Sequence, residues 1–429
     1  MDIPLLTPVH QVLSQPVVRQ VADEVRLQWQ NSQVPKRIRR GDRVAVGVGS
    51  RGITNIATIV SSTLDFLRDL GAQPFVVAAM GSHGGGTPEG QRELLAEYGV
   101  SEDALRVPVK TEMATVELGV NSWGEPVHWD KNAFEADAVL TISRIKAHTD
   151  FRGRFESGIV KMLGIGLGKR DGAAQHHRWG IRGLREMLPE SAKVVLEKTR
   201  FVAGLAILEN AREETAVLKV VEKEKVFDEE PRLLEQAKEM MGRIPFEQLD
   251  LLVIGEIGKN YSGAGIDPNV VGRLLMEGEP EFERPRITRI CALDLSPESH
   301  GNATGVGIAD LTTDRLLAKI DPVPFRMNNL TACFLWRSKL PLGFPTDREC
   351  IEAGISTCWQ PHFDRLRMAV IPNTLEVNEL WISPALAEEA RQSNQLEITG
   401  SLQPLPMNSA GLLDQRALFP HSAQARRQH

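Results

Sequence analysis

Residues 43–49, RVAVGVG, are a β-branched run closed by glycine, the pattern of a strand buried on both faces of a parallel sheet. In the segment that follows, Ile56, Ile59, Val60, Leu64 and Leu67 fall at helical spacing, and Gly71 suits the left-handed position past a helix end. PFVVAAMG, 74–81, predicts a second strand. TPEGQRELLAEYG then predicts a helix, with Thr87 as N-cap, Pro88 at the first helical position and Gly99 beyond the end. ADAVLTIS, 136–143, predicts a third strand. Strands alternating with helices imply βαβ units and a parallel sheet.

The pattern restarts in the second half. DEEPRLLEQAKEMMG reads as a helix, and LDLLVIGEIG, 249–258, reads as a strand followed by the glycine-rich loop KNYSGAGIDPN. ITRICALDL and DRLRMAVIPN are further strand candidates. These signals place a boundary near residue 245, giving domains at 1–245 and 246–429, with a frayed polar tail expected after about 401. The expected fold is two α/β domains with largely parallel sheets and an active site in the cleft between them.

Length and composition fit that picture: 429 residues suit two or three domains, and 42% hydrophobic with 25% charged residues is ordinary for a globular chain. A net charge of −6 gives no electrostatic reason to expect nucleic acid as a partner, and the basic run at 36–40 reads as a solvated edge. No stretch approaches the uninterrupted apolar length of a membrane span, and the N-terminus lacks the basic and apolar regions of a signal peptide, so no membrane association is expected. Cys291, Cys333, Cys350 and Cys358 form no C-x-x-C pair, which argues against a zinc ribbon or a disulfide framework and fits a reducing cytoplasm.

Three polar residues follow the three N-terminal strands: Arg51, His83 in GSHGGG, and His148 in SRIKAH. Ligands of open α/β sheets bind at the carboxyl edge of the strands. Each histidine alone reads as a surface or loop-structuring residue; their common placement points to a site. The glycines beside His83 allow close backbone approach, or make a mobile loop. Thr54 is placed to N-cap a helix whose end would attract phosphate or carboxylate, or simply to cap it.

The stretch HTDFRGRFESGIVKMLGIGLGKRDGAAQHH, 148–177, fails the standard tests for a phosphate loop. Gly164, Gly166 and Gly168 lack the dinucleotide spacing and an immediately preceding strand, and the GKR at 168–170 lacks the Ser or Thr of a Walker loop. H-E-x-x-H is absent. What remains is a candidate nucleophile, Lys161, and an imidazole donor, His176 or His177, that suits Zn, Cu, Fe or Ni.

Taken together, these pieces resemble the lactate racemase family of nickel-pincer isomerases. Arg51 in VGSRGIT matches the arginine after the first strand, and His83 with Thr87 in GSHGGGT matches the family's GTH segment. His148 followed by ESGIVK, ending in Lys161, matches the second histidine and the lysine, and GIGLG followed by His176-His177 aligns His177 with the metal ligand. The resemblance implies a racemase or epimerase of a 2-hydroxy acid, acting by reversible hydride transfer to a nickel-pincer nucleotide, a pyridinium mononucleotide bearing thioamide or thiocarboxylate groups. It implies that His177 ligates nickel, that Lys161 contacts or tethers the cofactor, and that the turn near Thr54 serves its phosphate. His83 and His148 would be the acid–base pair and Arg51 would hold the substrate carboxylate. Lys259 in IGKNYSG is the candidate for the family's second-domain lysine.

This chain departs from the family in a longer His148–Lys161 segment carrying Arg152, Arg154 and Glu156, which read as solvated loop charges or, alternatively, as the lining of a pocket for a larger or more polar acid, and in SGI where the family has a glycine pair. Two other readings stand beside this one: a zinc- or iron-dependent hydrolase or lyase using His83, His148 and His177, and a non-catalytic binder of a phosphorylated small molecule. The identity of the hydroxy acid and assembly into a homo-oligomer stay open.

Overall fold

In the computed structural model, which describes residues 2–13, 15–49 and 52–427, the chain divides into two units. One comprises residues 15–241; the other joins 1–14 to 242–429. The opening strand, β1 (Thr7–Gln11), therefore belongs to the C-terminal unit.

The N-terminal unit is built on six strands: β2 (Arg43–Val48), β3 (Gln73–Ala78), β4 (Val109–Lys110), β7 (Ala138–Arg144), β8 (Phe201–Glu209) and β9 (Thr215–Glu222). A separate hairpin, β5 (Thr115–Val120) with β6 (Pro126–Asp130), interrupts them in sequence. The sheet order is β4-β3-β2-β7-β8-β9, parallel except for the β8–β9 pair. Alternation along the strands fills two cores. Val44, Val46 and Val48 pack on one face with helices α1 (Val21–Gln30) and α2 (Ile56–Asp69). Ala45, Phe75 and Val77 pack on the other. There they meet α4 (Gly158–Lys161), α6 (Leu188–Lys198) and α7 (Val226–Met240). Between α2 and α4 in sequence comes α3 (Pro88–Glu97), whose first turn Thr87 caps by accepting from the Gly90 amide, as its sequence pattern predicts. α5 (Lys169–Arg178) follows α4 after a π-helical turn, Met162–Gly166.

The C-terminal unit holds an eight-stranded sheet. Its parallel part is β13 (Leu342–Phe344), β12 (Leu311–Thr313), β11 (Arg286–Ala292), β10 (Gln248–Ile254) and β14 (Met368–Ile371), in that order. Antiparallel β15 (Glu379–Ile382), β1 and β16 (Leu396–Ile398) complete it. β1 sits inside this sheet because it is paired on both sides, with Val9 opposite Leu380 on one and Ile398 on the other. A boundary at 245 with residues 1–14 in the first domain is thus replaced by a break at 241/242 and a returning N-terminal strand.

The expectation of a frayed tail is also corrected. Leu405, Leu413, Leu418 and Phe419 are buried in the C-terminal core, and the Leu418 carbonyl accepts from the Trp381 indole at 3.0 Å. Arg427 pairs with Glu256 and Glu298 at 2.7 and 2.6 Å. These apolar residues fall at irregular intervals on a chain with little regular structure, so no periodicity announces them. Among the described residues, no helix is long and apolar enough to cross a membrane.

Candidate functional site

Because β3, β2 and β7 are parallel neighbours, their carboxyl ends share one edge. Gly49, the 79–83 turn and the 145–148 turn all leave from it. Arg51 lies outside the described residues. His83 is exposed at the start of a glycine turn whose Gly84, Gly85 and Gly86 all have positive φ. This turn is pinned: the Gln91 side-chain amide donates to the Gly81 and His83 carbonyls at 3.0 and 3.2 Å. A Cβ on Gly84 would lie 2.5 Å from the Gly90 backbone, so only glycine fits against the first turn of α3.

His148 follows β7. Its main-chain amide donates to the Glu156 carboxylate at 2.8 Å. Its Nδ1 accepts from the Asp150 amide at 3.0 Å, which in the neutral ring assigns the proton to Nε2. The Asp150 carboxylate stands 3.7 Å from the same nitrogen, and the ring packs on Phe151 with centroids 4.5 Å apart.

Lys161 ends α4, and the π-helical turn after it lies against the strand ends. A Cβ on Gly166 would be 2.8 Å from the Ala79 carbonyl oxygen, while the Gly81 amide donates to the Gly166 carbonyl at 3.1 Å. The glycines of GIGLG are therefore packing residues that let the helix touch the sheet edge. Lys169 in the adjoining GKR is no phosphate lysine: it is fully buried, donates to the Ala78 carbonyl at 2.7 Å and pairs with Asp130 at 2.9 Å. Burial pushes the Asp130 carboxyl up, outweighing the downward pull of Lys169.

The two adjacent histidines separate cleanly. His176 is buried, with Nδ1 2.7 Å from the Gly172 carbonyl and Nε2 3.0 Å from the Ser191 hydroxyl, so both ring nitrogens have internal partners. His177 is only partly buried, and its ring makes no hydrogen bond to any described residue. Burial, then the Lys161 ammonium and the neighbouring His176 ring, push its pKa down to about 4, with Asp150 opposing them. At neutral pH the ring is an unprotonated imidazole, the form that ligates a metal. The same influences place Lys161 and Asp150 in its electrostatic neighbourhood, and Asp150 links it to His148. The loop carrying His83 packs on the same helix, since a Cβ at Gly86 would touch the Arg170 side chain and one at Gly81 would touch Ala173.

One expected residue, Thr54, is placed differently. Thr54 is not the N-cap of α2; that position is Asn55, in the left-handed conformation at φ 64°. The Thr54 amide donates to Glu209 at 2.7 Å and its hydroxyl to the Glu213 carbonyl at 2.5 Å, so the β8–β9 turn holds both. Lys259 lies in the C-terminal unit, where its ammonium donates to the Gly263 carbonyl at 2.5 Å.

Glu156, read from sequence as a solvated charge, is buried. It gathers the amides of His148 and Gly153 and the side chains of Arg152 and Lys238. Sequence reasoning missed Asp150, although it stands two residues from His148. It also missed Glu230, which is fully buried with burial pushing its carboxyl up to about 8. Glu230 sits in a helical pattern seventy positions from its partner Val160, and nothing local marks it.

Among the described residues, no three His, Cys, Asp or Glu side chains cluster as a metal site, so His83, His148 and His177 do not form the three-histidine centre of a hydrolase. One neutral, uncommitted imidazole beside a lysine instead fits a metal whose remaining ligands come from a cofactor.

Residues 13–186 match the lactate racemase N-terminal domain family. No curated protein matches the chain. Among solved structures, it is similar to the lactate racemase apoprotein from Thermoanaerobacterium thermosaccharolyticum, with 10% identity, a TM-score of 0.51, and 87% of this chain and 99% of that chain covered. It is also similar to a Thermotoga maritima protein at 14% identity, with a TM-score of 0.45 and coverage of 65% and 71%. The first likeness establishes a shared α/β fold.

Proposed function

We propose, for a chain whose residues 13–186 match the lactate racemase N-terminal domain family, that it is a racemase or epimerase of a 2-hydroxy acid working with a nickel-pincer nucleotide. The observation that carries this reading is the unprotonated imidazole of His177 in the neighbourhood of Lys161, on the helix that packs against the end of β3 and the turn after it. When bound, such a cofactor supplies a reversible hydride acceptor, the redox step the side chains cannot perform.

The protein's part is placement and proton transfer. His177 would be the residue that holds the nickel, an imidazole donor suited to that metal. Lys161 would hold the thiocarbonyl end, by contact or by a covalent link. His148 and His83 would stand at the substrate hydroxyl. The Asp150 amide engages Nδ1 of His148, which leaves Nε2 as the nitrogen to face the substrate oxygen. Arg51 would hold the substrate carboxylate with its planar fork.

The test is metal analysis with intact mass on purified holoprotein. Nickel and a cofactor adduct or co-purifying nucleotide are expected, with nickel lost in His177→Ala and Lys161→Ala. Full racemase activity in nickel-free protein would refute the reading. Racemisation in heavy water should leave the C2 hydrogen in place; extensive deuteration at C2 would indicate proton abstraction instead.

A further inference from the structure

Helix α7 carries no residue expected of the site, yet it ties down the 146–161 segment at three points. Near its start, Pro231 has no amide hydrogen for the Phe227 carbonyl, and the Arg154 guanidinium donates to that oxygen at 2.6 Å. One turn on, Glu230 accepts from the Val160 amide at 3.0 Å. Near its end, Lys238 pairs with buried Glu156 at 3.0 Å. Positions 227, 230 and 238 are three and eleven apart, which puts them within one face of the helix.

The local sequence is adapted to these ties. Ser157 stands at the N-cap of α4 but does not cap it, because its hydroxyl is engaged with the Lys146 amide and carbonyl at 2.7 and 2.6 Å. Glu230 serves those amides from outside. It can approach because residue 158 is glycine at φ +81°, where a Cβ would lie 3.0 Å from the Glu230 carboxyl. Glu156 in turn holds the His148 amide at 2.8 Å and the Gly153 amide at 3.1 Å. Buried carboxyl groups are a poor route to stability, since well-packed apolar groups do as well; specifying a geometry is a better account of them.

We propose that α7 is a brace for the site: Glu156, clamped by Lys238, positions His148, and Glu230 positions Lys161. The functional meaning of those two ends rests on the racemase reading above. The brace itself is a statement about this chain's own residues and is tested without turnover.

The experiment uses the full chain without cofactor, checked by intact mass. Acetic anhydride labelling is followed against pH by peptide mass spectrometry, reading Lys161 with exposed Lys198 as internal reference. In Glu230→Ala the Lys161 profile should move by roughly one pH unit or its labelling rate by about tenfold, while Lys198 stays fixed. Glu230→Gln, which keeps the acceptor and its reach, should restore the wild-type profile. If the alanine variant does not fold, Glu230→Asp, one methylene too short, is read against Gln. In a holoenzyme that racemises, Lys238→Met should lower kcat about tenfold or more with KM changed less than about threefold, as expected for a misplaced acid–base group.

Unchanged Lys161 labelling in a folded Ala or Asp variant would overturn the proposal, as would a Gln variant as disturbed as Ala. A wild-type chain that lacks nickel and racemase activity would remove the functional reading and leave the lysine result to decide the brace.

Discussion

His176 and His177 are the same residue type on consecutive positions of one helix, about 100° apart around its axis. That rotation sends one ring into the core, with two internal partners, and leaves the other partly exposed beside Lys161. Their substitutions should therefore have opposite effects. His176→Ala removes a buried ring and leaves Ser191 and Gly172 short of a partner, at a cost of about 1–3 kcal/mol of stability in urea unfolding, with nickel content retained. His177→Ala should lose nickel with little change in unfolding. Metal loss in the first variant and not the second would reverse the ligand assignment. Lys169→Met should be worse for stability than either, about 3–5 kcal/mol, because it strands Asp130 in a dry environment. The motif GKR shows the limit of sequence at this scale: it names a lysine, and only the fold reveals that the ammonium points inward to Ala78 and Asp130.

At the scale of elements, continuous apolar runs locate β2, β3 and β7 to within two or three residues, because strands buried on both faces carry no polar alternation. The helix beginning near residue 56 was equally legible, but its capping was not. Thr54 has the right chemistry for an N-cap, yet the β8–β9 turn takes its amide and hydroxyl, and Asn55 occupies the position in a left-handed conformation. Helix α7 was visible as a helix and invisible as a brace.

Its buried Glu230 also gives a pH prediction. The folded carboxyl is pushed up to about 8 from an ordinary 4.5, so between those values the folded state binds more protons than the unfolded. The stability Glu230 contributes is complete below the lower value and is lost as pH rises through the upper one. Urea midpoints at about pH 6 and about pH 9 should therefore fall more for the wild type than for Glu230→Gln. Equal falls in the two proteins would contradict the assignment.

At the scale of the whole molecule, the chain's two ends both fold into the C-terminal unit. Deleting residues 2–13 should expose amides of β15 and β16 to hydrogen exchange while β2 and β3 keep their protection, since β1 pairs with the former. Truncation after 401 should destabilise that same unit by several kcal/mol, because Leu405, Leu413, Leu418 and Phe419 leave its core, each worth about 1.5–3 kcal/mol when fully buried. Loss of protection in the 15–241 unit alone would refute this division.

The sequence by itself determined the class of the fold, the common sheet edge from which His83 and His148 depart, and the glycine-rich segment joining Lys161 to His177. These follow from local periodicity and strand order, which the linear pattern of apolar residues carries. Tertiary structure alone decided which of two adjacent histidines is taken up by internal hydrogen bonds and which is not, which lysine is buried, and which distant carboxyl groups hold the site's main chain. Those outcomes depend on desolvation and on contacts between residues tens to hundreds of positions apart, such as Val9 with Leu380 or Val160 with Glu230, and no local pattern encodes them.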